Sequence, residues 1–322
     1  MTAEARPQPH TPGLNWLTEF EVSARGVVYR KTGARIHLDR SLAEEFWAWL
    51  RFFFAVRAEA AKREPSFTMA FSPDRGRPWY LIWPVMRLAG GRLAPVAEAD
   101  VLMHFEDATY SMNAPPAHAR ADAKRINFAC TDVSKSRVAA CFEAAFGYPL
   151  TLDPRDHRGP AVEKSEANGA HDGRIVECPT PPLPGRVYQK LVDNRAASGD
   201  LVEDYRCPTI DGRPICVFIK RRPLGQRFAN ANTEVELIAP EAAFSQDELR
   251  RIADFARRMG LDWGGLDVLR DRSEGKLYIV DANKTDMGPP TALPLDQKLA
   301  AARLLASAFR DFIGARESGC RV

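Results

Sequence analysis

Residues 264–290 read GGLDVLRDRSEGKLYIVDANKTDMGPP and carry the most informative pattern in the chain. Two apolar runs flank a polar turn, which predicts a β-hairpin. Side chains alternate along a strand, so Asp281 and Asn283 share one face, and the paired strand can bring Asp267 beside them. Three oxygen ligands after an apolar strand are typical of a magnesium site that nucleotide phosphates and water complete. The alternative is that Asp281 and Asn283 only begin a turn.

A second polar stretch, GPAVEKSEANGAHDG at 159–173, places a lysine before a glycine-containing loop. Lys164 lies near the end of a predicted strand, and Gly169 and Gly173 lie in the loop that follows. Glycines let backbone N–H groups turn toward an anion, and a lysine beside them adds a positive charge. The pattern indicates phosphate binding, with a flexible hairpin tip exposed to water as the alternative.

A third stretch, EDYRCPTIDGRPICVFIKRR at 203–222, predicts a hairpin that turns at Asp211-Gly212. Asp204 and Arg206 share one face of its first strand. Three cations end the partner strand: Lys220, Arg221 and Arg222. Charges at a strand end usually contact solvent, but a cationic cluster can also stabilise a transferring phosphoryl group or an acyl phosphate.

The remaining elements follow from capping and turn signals. The capping-box sequence Ser41–Glu44 and the aromatic run after it predict a helix at 41–62. Two apolar runs, 79–86 and 100–105, predict strands of an N-terminal α/β lobe that ends near residue 120. Further helices are predicted after Ser134, ending at Gly147, after Ser245, ending at Gly260, and at 296–313.

Composition places the chain among ordinary globular proteins. Its 322 residues suffice for about two domains at roughly 150 residues each, and 45% of them are hydrophobic. The net charge is only +3, from 45 Lys and Arg against 42 Asp and Glu, and no long basic block occurs. Nucleic acid is therefore not an expected partner. Residues 1–13 are expected to form a flexible tail.

Missing motifs exclude several classes of protein. The six cysteines form no Cys-x-x-Cys pair, which argues against structural zinc and for a reducing compartment. No apolar run reaches the roughly 18 residues needed to span a membrane, and the N-terminus lacks a signal-peptide pattern, so we expect a cytoplasmic protein. The Walker phosphate loop, the dinucleotide-binding glycine motif, the hydrolase nucleophile elbow and the kinase motifs do not occur.

Taken in order, the three polar stretches resemble the ATP-grasp superfamily, and the resemblance covers about residues 121–313. It implies an α/β fold made of α+β lobes, with ATP and Mg²⁺ bound between two of them. The implied domains are an N-terminal α/β lobe at 1–120, which binds substrate, a first ATP-grasp lobe at 121–192 and a second at 193–322.

The resemblance also implies which residues bind the nucleotide and the metal. The cofactor-binding set is Lys135, Lys164, Gly169, His171, Gly173, Gln189, Lys190, Val192 and Asp204. Within this set, two lysines and a mobile glycine loop face the phosphates, and Asp204 contacts the ribose, with Asp193 as a competitor. Residues 187–192 form the hinge between the two lobes, where backbone groups near Lys190 and Val192 meet the adenine edge. The metal ligands are Asp267, Asp281 and Asn283.

The chain departs from the superfamily pattern at three places. Asp281 stands where Glu is more common. Gly265 stands where D-alanine:D-alanine ligases carry an arginine on the reaction intermediate. The usual Asn-x-x-Pro-Gly ending is replaced by NKTDMGPP, which places Lys284 and Asp286 beside the metal ligands. These departures weaken the transfer of a particular substrate to this chain.

The implied activity is ATP-driven ligation of a carboxylate to an amine or a thiol through an acyl phosphate. The expected catalytic residues, which neutralise the transferring group, are Arg206, Lys220, Arg221 and Arg222. The first alternative is a kinase that phosphorylates a hydroxyl group of a small molecule or lipid. A nucleotide-binding regulatory protein is the third interpretation.

The substrate is expected to be a small anion bound by the N-terminal lobe. Arg75, Arg77 and Arg87 are the candidate ligands around its apolar runs, although arginines in loops usually contact only solvent. The aromatic run 46–56 is expected to pack against this lobe, with contact to a lipid or a membrane surface as the alternative.

Overall fold

The computed structural model describes residues 20–23, 26–29, 34–36, 40–170, 172–228 and 232–314. The chain divides into two compact units at the boundary between Arg51 and Phe52. The first unit contains an antiparallel sheet and the beginning of helix α1. Its elements are β1 (Phe20–Ser23), β2 (Gly26–Tyr29), β3 (Ala34–Ile36) and α1 (Arg40–Ala60), the last of which continues into the second unit. The tail predicted at residues 1–13 lies outside the described residues.

The second unit begins with a four-stranded parallel sheet, which we call the parallel sheet. Its strands are β4 (Phe67–Pro73), β5 (Gly91–Leu93), β6 (Val101–Phe105) and β7 (Lys124–Ile126), in the order β5-β4-β6-β7. Every residue of β6 is buried, so the strand predicted at 100–105 is confirmed. The chain runs from β4 to β5 on one side and then crosses to β6 on the other, so the connections change direction between β4 and β6.

The strand predicted at 79–86 is wrong, because residues Ile82–Leu88 form a short helix, α2. Five of its seven residues are buried, including Pro84 in its first turn. Proline is tolerated there, since the first N–H groups of a helix have no partner within it. An apolar run this short cannot by itself distinguish a buried strand from a buried helix.

A three-stranded antiparallel sheet, the small sheet, has the order β10-β8-β9. Its strands are β8 (Gly159–Ser165), β9 (Arg174–Cys178) and β10 (Arg186–Lys190). Helix α3 (Lys135–Phe146) precedes it. The predicted signals of this helix are confirmed, since the Ser134 side chain accepts a hydrogen bond from the Arg137 N–H and Gly147 ends the helix at a φ of 82°.

The large sheet is antiparallel and has the order β14-β13-β11-β15-β16, with β12 paired to β11. Its strands are β11 (Leu201–Ile210), β12 (Arg213–Pro214), β13 (Val217–Pro223), β14 (Glu234–Ile238), β15 (Trp263–Arg270) and β16 (Leu277–Asn283). Both predicted hairpins are confirmed. Asp211 and Gly212 both have positive φ, as a tight hairpin turn between right-twisted strands requires.

Helices cover both faces of the large sheet. These are α4 (Pro240–Ala243), α5 (Gln246–Met259) and α6 (Leu295–Ile313), and the capping box predicted at Ser245 and Glu248 is present. One core joins the large sheet to α3 and α5 through Phe142, Phe255 and Leu266. A second core joins its other face to α6 and the parallel sheet, where the Phe309 ring lies 5.8 Å from Trp263 and 6.1 Å from Phe67.

Helix α1 begins at Arg40, so Ser41 lies inside the helix and not at the N-cap position predicted for it. In its second half Phe52, Phe53 and Val56 are buried, and Phe53 stacks on Trp83 of α2 at 5.0 Å. The packing expected for this run is therefore present for these residues, while Phe54 is 58% exposed. In the part of the chain that the structure describes, no helix is both long and apolar enough to cross a membrane. The mixed α/β class predicted from the sequence is confirmed.

Candidate active site

The small sheet and the large sheet enclose a cleft, which we call the central cleft. It brings together eleven of the sequence-predicted residues: Lys135, Lys164, Gly169, Gly173, Gln189, Lys190, Val192, Asp204, Arg222, Asp267 and Asp281. Arg206, Lys220, Arg221 and Asn283 are not among the side chains that line it. His171 lies outside the described residues.

Two carboxylates stand side by side on the floor of the cleft. Asp267 in β15 and Asp281 in β16 are directly opposite each other in the strand pairing. Like charges at such positions repel each other, so the pair needs cations nearby. The Lys135 Nζ lies 2.6 Å from Asp281, and Asp267 accepts hydrogen bonds from Arg206 at 2.8 Å and Lys220 at 3.3 Å. Burial alone would raise the pKa of Asp267, but Arg206 and Lys220 outweigh burial and hold that pKa well below its ordinary value.

These carboxylates fit magnesium. The ion prefers oxygen ligands and usually takes only one or two protein carboxylates together with substrate phosphates and water. Across the described residues, no group of three or more His, Cys, Asp and Glu side chains forms a metal cage. Asn283 lies opposite Gly265 in the same pairing, and its Oδ1 accepts hydrogen bonds from the Thr285 N–H at 2.9 Å and hydroxyl at 3.1 Å. Asp267 and Asp281 therefore have the donor set that a phosphate-bound magnesium needs.

Lys164 approaches the carboxylates from the small sheet. Its Nζ donates a hydrogen bond to the Val280 carbonyl oxygen at 3.0 Å, next to Asp281. Burial lowers the pKa of Lys164 to about 8, although Asp281 acts in the opposite direction. Lys164 is opposite Val187, and Gln189 is opposite Val162, so these four side chains share one face of the small sheet. That face is the one turned toward the large sheet.

The loop after β8 reaches back across the cleft. Asn168 accepts a hydrogen bond from Lys135 at 3.0 Å, and its backbone N–H donates to the Thr109 hydroxyl at 2.8 Å. Gly169 has a φ of 72°, which favours glycine, and a Cβ at Gly173 would lie 3.1 Å from the Phe228 ring. Phe228 lines the cleft and was missed by the sequence analysis, because a single aromatic residue carries no motif.

Asp204 is held by protein groups on both oxygens. Arg222 forms an ion pair with Oδ2, and the Asn194 amide donates to Oδ1 at 2.8 Å. Burial raises the pKa of Asp204, and Arg222 opposes that change. Arg227 completes this cluster, with hydrogen bonds to the Val192 carbonyl at 2.9 Å and the Asn194 side chain at 2.7 Å. Asn194 and Arg227 line the cleft and were not found from the sequence. Asp193, the competitor for the ribose role, instead pairs with Arg195.

The predicted cationic cluster at 220–222 does not act as one group, because successive side chains of a strand point to opposite faces. Lys220 and Arg222 reach Asp267 and Asp204. Arg221 lies on the other face, where it pairs with Glu203 at 2.8 Å and Glu236 at 3.3 Å. The structure therefore does not support a catalytic role for Arg221.

Arg206 connects Asp267 to a second, fully buried carboxylate, Asp286. A Cβ at Gly265 would lie 2.3 Å from the Asp286 Oδ2 and 2.8 Å from the Arg206 Nε. The space that a side chain at 265 would need is therefore filled by this pair. The packing of Asp286 and Arg206 therefore explains why glycine occupies position 265, where the sequence departs from the ligase pattern.

The segment after β6 contacts several parts of the site. The Lys284 Nζ, fully buried, donates to the Ser111 hydroxyl at 2.6 Å, and Thr285 donates to Asp107 at 3.3 Å. The segment after β4 contacts the same strand end, where the Leu81 N–H donates to the Asp286 carbonyl oxygen at 2.9 Å. Both segments follow the carboxyl ends of their strands, and both contact residues 284–286, just after β16.

Arg87 lies at the other end of the parallel sheet. Arg57 and Arg92 are its positively charged neighbours. Arg92 of β5 lies opposite Thr68, near the beginning of β4, in the strand pairing. That end of the sheet is opposite to the carboxyl ends of the strands, because β4 and β5 are parallel. The structure therefore does not place Arg87 with Arg75 and Arg77, which follow β4.

No family model and no curated protein matches this chain. Among solved structures, it is similar to the ATP-grasp ligase PsnB in complex with minimal precursor, Mg and ADP, at 15% identity over 75% of this chain and 100% of that one, with a TM-score of 0.48. It is similar to D-alanine–D-alanine ligase from Bacillus anthracis at 12% identity over 76% and 96% of the two chains, with a TM-score of 0.46. A RimK domain ATP-grasp protein from Sphaerobacter thermophilus is 14% identical over 76% and 99%, with a TM-score of 0.45.

Proposed function

We propose that this chain is an ATP-grasp enzyme that uses MgATP to activate a carboxylate as an acyl phosphate, which an amine or a thiol then attacks. One observation carries the proposal. Two lysines from the α3 and β8 side of the central cleft, Lys135 and Lys164, come within reach of two paired carboxylates, Asp267 and Asp281. Opposed cations and carboxylates in one cleft match what a polyphosphate and its magnesium require.

Each residue of the cleft has a distinct task in this proposal. Asp267 and Asp281 would hold magnesium, which neutralises charge on the β- and γ-phosphates when bound. Lys135 and Lys164 provide fixed positive charge for the phosphates. Arg206 and Lys220 keep Asp267 ionised and oriented through their hydrogen bonds. None of these roles requires a covalent bond to the protein.

The carboxyl ends of β4 and β6 are the proposed site of the acceptor. In open α/β sheets, ligands bind outside the carboxyl ends of the strands where the connections change direction, which here is between these two strands. Arg75 and Arg77 lie in the segment after β4, at an end of the sheet where Asp74, Glu106 and Asp107 also lie. The two arginines are the proposed ligands of an anionic acceptor such as a carboxylate.

The reaction balances without a further reagent. A carboxylate oxygen bonds to the γ-phosphorus as the bond between that phosphorus and the bridging oxygen breaks, which releases ADP. The amine nitrogen then attacks the acyl carbon, the carbon–oxygen bond to phosphate breaks, and the amine loses a proton. In a kinase the first step would have a hydroxyl acceptor and the second step would not occur.

Hydroxylamine provides the test, because it converts any acyl phosphate to a hydroxamate without knowledge of the natural amine. Purified protein is incubated with MgATP, hydroxylamine and mixtures of amino acids, dicarboxylic acids and short peptides. We expect ADP and hydroxamate in equal amounts, and neither with Asp281→Asn. A phosphomonoester signal by phosphorus NMR, without hydroxamate, would show a kinase. If no acceptor yields ADP and no nucleotide binds, the proposal fails.

A further inference from the structure

Three arginines, which we call the arginine cluster, gather at the end of the parallel sheet opposite to the carboxyl ends of its strands. They are Arg57 of α1, Arg87 in the last turn of α2 and Arg92 of β5. Arg57 and Arg92 are exposed, and Arg87 is half-buried. Within the part of the chain that the structure describes, none of the three forms an ion pair with a carboxylate. Their positive charges therefore stand together without a protein counter-charge.

Packing between α1 and α2 fixes the positions of two of these arginines. Phe53 stacks on Trp83 with the ring centres 5.0 Å apart. Arg57 follows Phe53 by four residues and Arg87 follows Trp83 by four, which is about one helical turn in each case. The guanidinium carbon of Arg57 lies 5.7 Å from the centre of the Phe53 ring. Strand β5 comes directly after α2 and carries Arg92.

The guanidinium group of Arg87 has a donor that no protein group uses. Its Nε is buried, and no described residue accepts a hydrogen bond from it. Buried donors in native proteins are almost always paired with protein, water or a ligand, because an unpaired donor costs free energy. Burial lowers the pKa of Arg87, and the charges of Arg57 and Arg92 lower it further. An anion between the three arginines would relieve both the unpaired donor and the repulsion.

Two carboxylates at the same end of the sheet are engaged elsewhere. Glu59, two residues after Arg57 on α1, pairs with Arg303 of α6 at 2.7 Å. Asp100, which comes directly before β6, pairs with Arg120 at 2.8 Å. Both of these acidic side chains are therefore held by arginines outside the cluster.

We propose that the arginine cluster binds the phosphate group of a small molecule or of a lipid headgroup, at a site separate from the central cleft. Guanidinium groups are planar and form paired hydrogen bonds with phosphate oxygens. A phosphate ligand with two or more negative charges matches three arginines better than a single carboxylate does. None of the three arginines lines the central cleft, so the inference does not depend on the proposed function.

Binding of inorganic pyrophosphate tests the inference. The background is the full chain with Lys164→Gln, a change that should weaken anion binding in the central cleft and leave the arginine cluster intact. Calorimetric titration without magnesium compares this background with the same chain carrying Arg87→Gln, Arg92→Gln or Arg213→Gln. Arg213→Gln is the matched control, because Arg213 is exposed on β12 and its replacement removes the same charge. Thermal unfolding shows whether each variant is folded.

We expect the background to bind pyrophosphate and each change in the cluster to weaken that binding about tenfold or more, because a charge-assisted hydrogen bond is lost. The control should change the dissociation constant by less than about twofold. Stability should respond with the opposite sign when no anion is present. In low salt, Arg92→Gln should unfold at the same or a higher urea concentration than the background, because it removes repulsion between like charges. With pyrophosphate, the background should be the more stable of the two.

Vesicles distinguish the two sources of the phosphate. Phe54 precedes Arg57 by three residues on α1 and is 58% exposed, so an apolar side chain lies beside the cluster. The natural protein and Arg92→Gln are sedimented with vesicles of phosphatidylcholine, with and without phosphatidic acid. Sedimentation that requires both phosphatidic acid and Arg92 would indicate a lipid headgroup. Pyrophosphate binding without sedimentation would indicate a soluble phosphate compound.

Three results would overturn the inference: binding of neither pyrophosphate nor vesicles, unchanged affinity in Arg87→Gln and Arg92→Gln, or an equal loss in the control. Arg92→Gln decides the matter even if Arg87→Gln does not fold, since Arg92 is exposed. Failure of the natural protein to bind ATP would contradict the proposed function and leave this inference standing.

Discussion

The ammonium group of Lys135 lies 2.6 Å from the carboxylate of Asp281, although 146 residues separate the two in the chain. Lys135 is the first residue of α3, and Asp281 lies in the last strand of the large sheet. This contact ties two sides of the central cleft together where the phosphates and magnesium are proposed to bind. It also shows why neither residue could be assigned a partner from its local sequence.

Replacement of Asp281 by Asn should reduce magnesium-dependent ATP turnover by about 100-fold or more. Asn keeps the size of the side chain and an acceptor for Lys135, but it removes the charge that would hold the ion. Turnover is measured against magnesium concentration. The control is Asp254→Asn, since Asp254 pairs with Arg257 and Arg258 on the surface of α5. An unaltered magnesium dependence in Asp281→Asn would rule out this ligand.

Nucleotide affinity should fall as pH rises through about 8. Burial lowers the pKa of Lys164 to about 8, so the unliganded protein loses this positive charge above that pH. A bound polyphosphate favours the charged form, hence the dissociation constant should rise about tenfold between pH 7.5 and 9, where ATP itself no longer titrates. Titrations across this range should show the rise in the natural protein and a flat profile in Lys164→Gln. The same pH dependence in both proteins would mean that another group is responsible.

Gly265→Ala should destabilise the chain by about 1 to 3 kcal/mol, because the new Cβ would overlap the buried pair of Asp286 and Arg206. Chemical unfolding measures the change. Gly225→Ala is the comparison, since a Cβ at Gly225 meets no atom within 4 Å. Equal stability of the two variants would show that Asp286 and Arg206 can move aside with little loss in the free energy of unfolding.

Ser111 and Lys284 should be energetically coupled. Ser111→Ala leaves the buried Lys284 ammonium without its hydrogen bond and should cost about 1 to 3 kcal/mol. In a Lys284→Met background the same change should cost much less, so the two effects should depart from additivity by about 1 kcal/mol or more. Urea unfolding of the four proteins gives this coupling. Strictly additive effects would mean that the contact contributes nothing to stability.

Local patterns in the sequence predicted much of the fold because they depend on neighbouring residues. The capping serines, the Asp-Gly turn and the alternation that pairs Asp267 with Asp281 are all of this kind. The helix at 82–88 was missed because its run is apolar throughout, which removes the periodicity that distinguishes helix from strand.

The site residues that the sequence did not predict are held in place by contacts between distant segments of the chain. Asn194 and Arg227 reach Asp204 and Val192 only through the folded chain, and Phe228 has no local motif. Arg206 meets Asp286 across 80 residues. The error of grouping Arg221 with Lys220 and Arg222 has a different origin. Successive side chains of a strand point to opposite faces, so the sequence alone was sufficient to separate Arg221 from the other two.

Phe309 of α6 touches Phe67 of the parallel sheet as well as Trp263 of the large sheet. During synthesis, β4, α2 and β5 leave the ribosome more than two hundred residues before this helix does. Until then the part of their apolar surface that α6 covers stays exposed, although the second half of α1 already packs on α2. The core that α6 shares with the parallel sheet and the large sheet is therefore completed only when α6 has been translated.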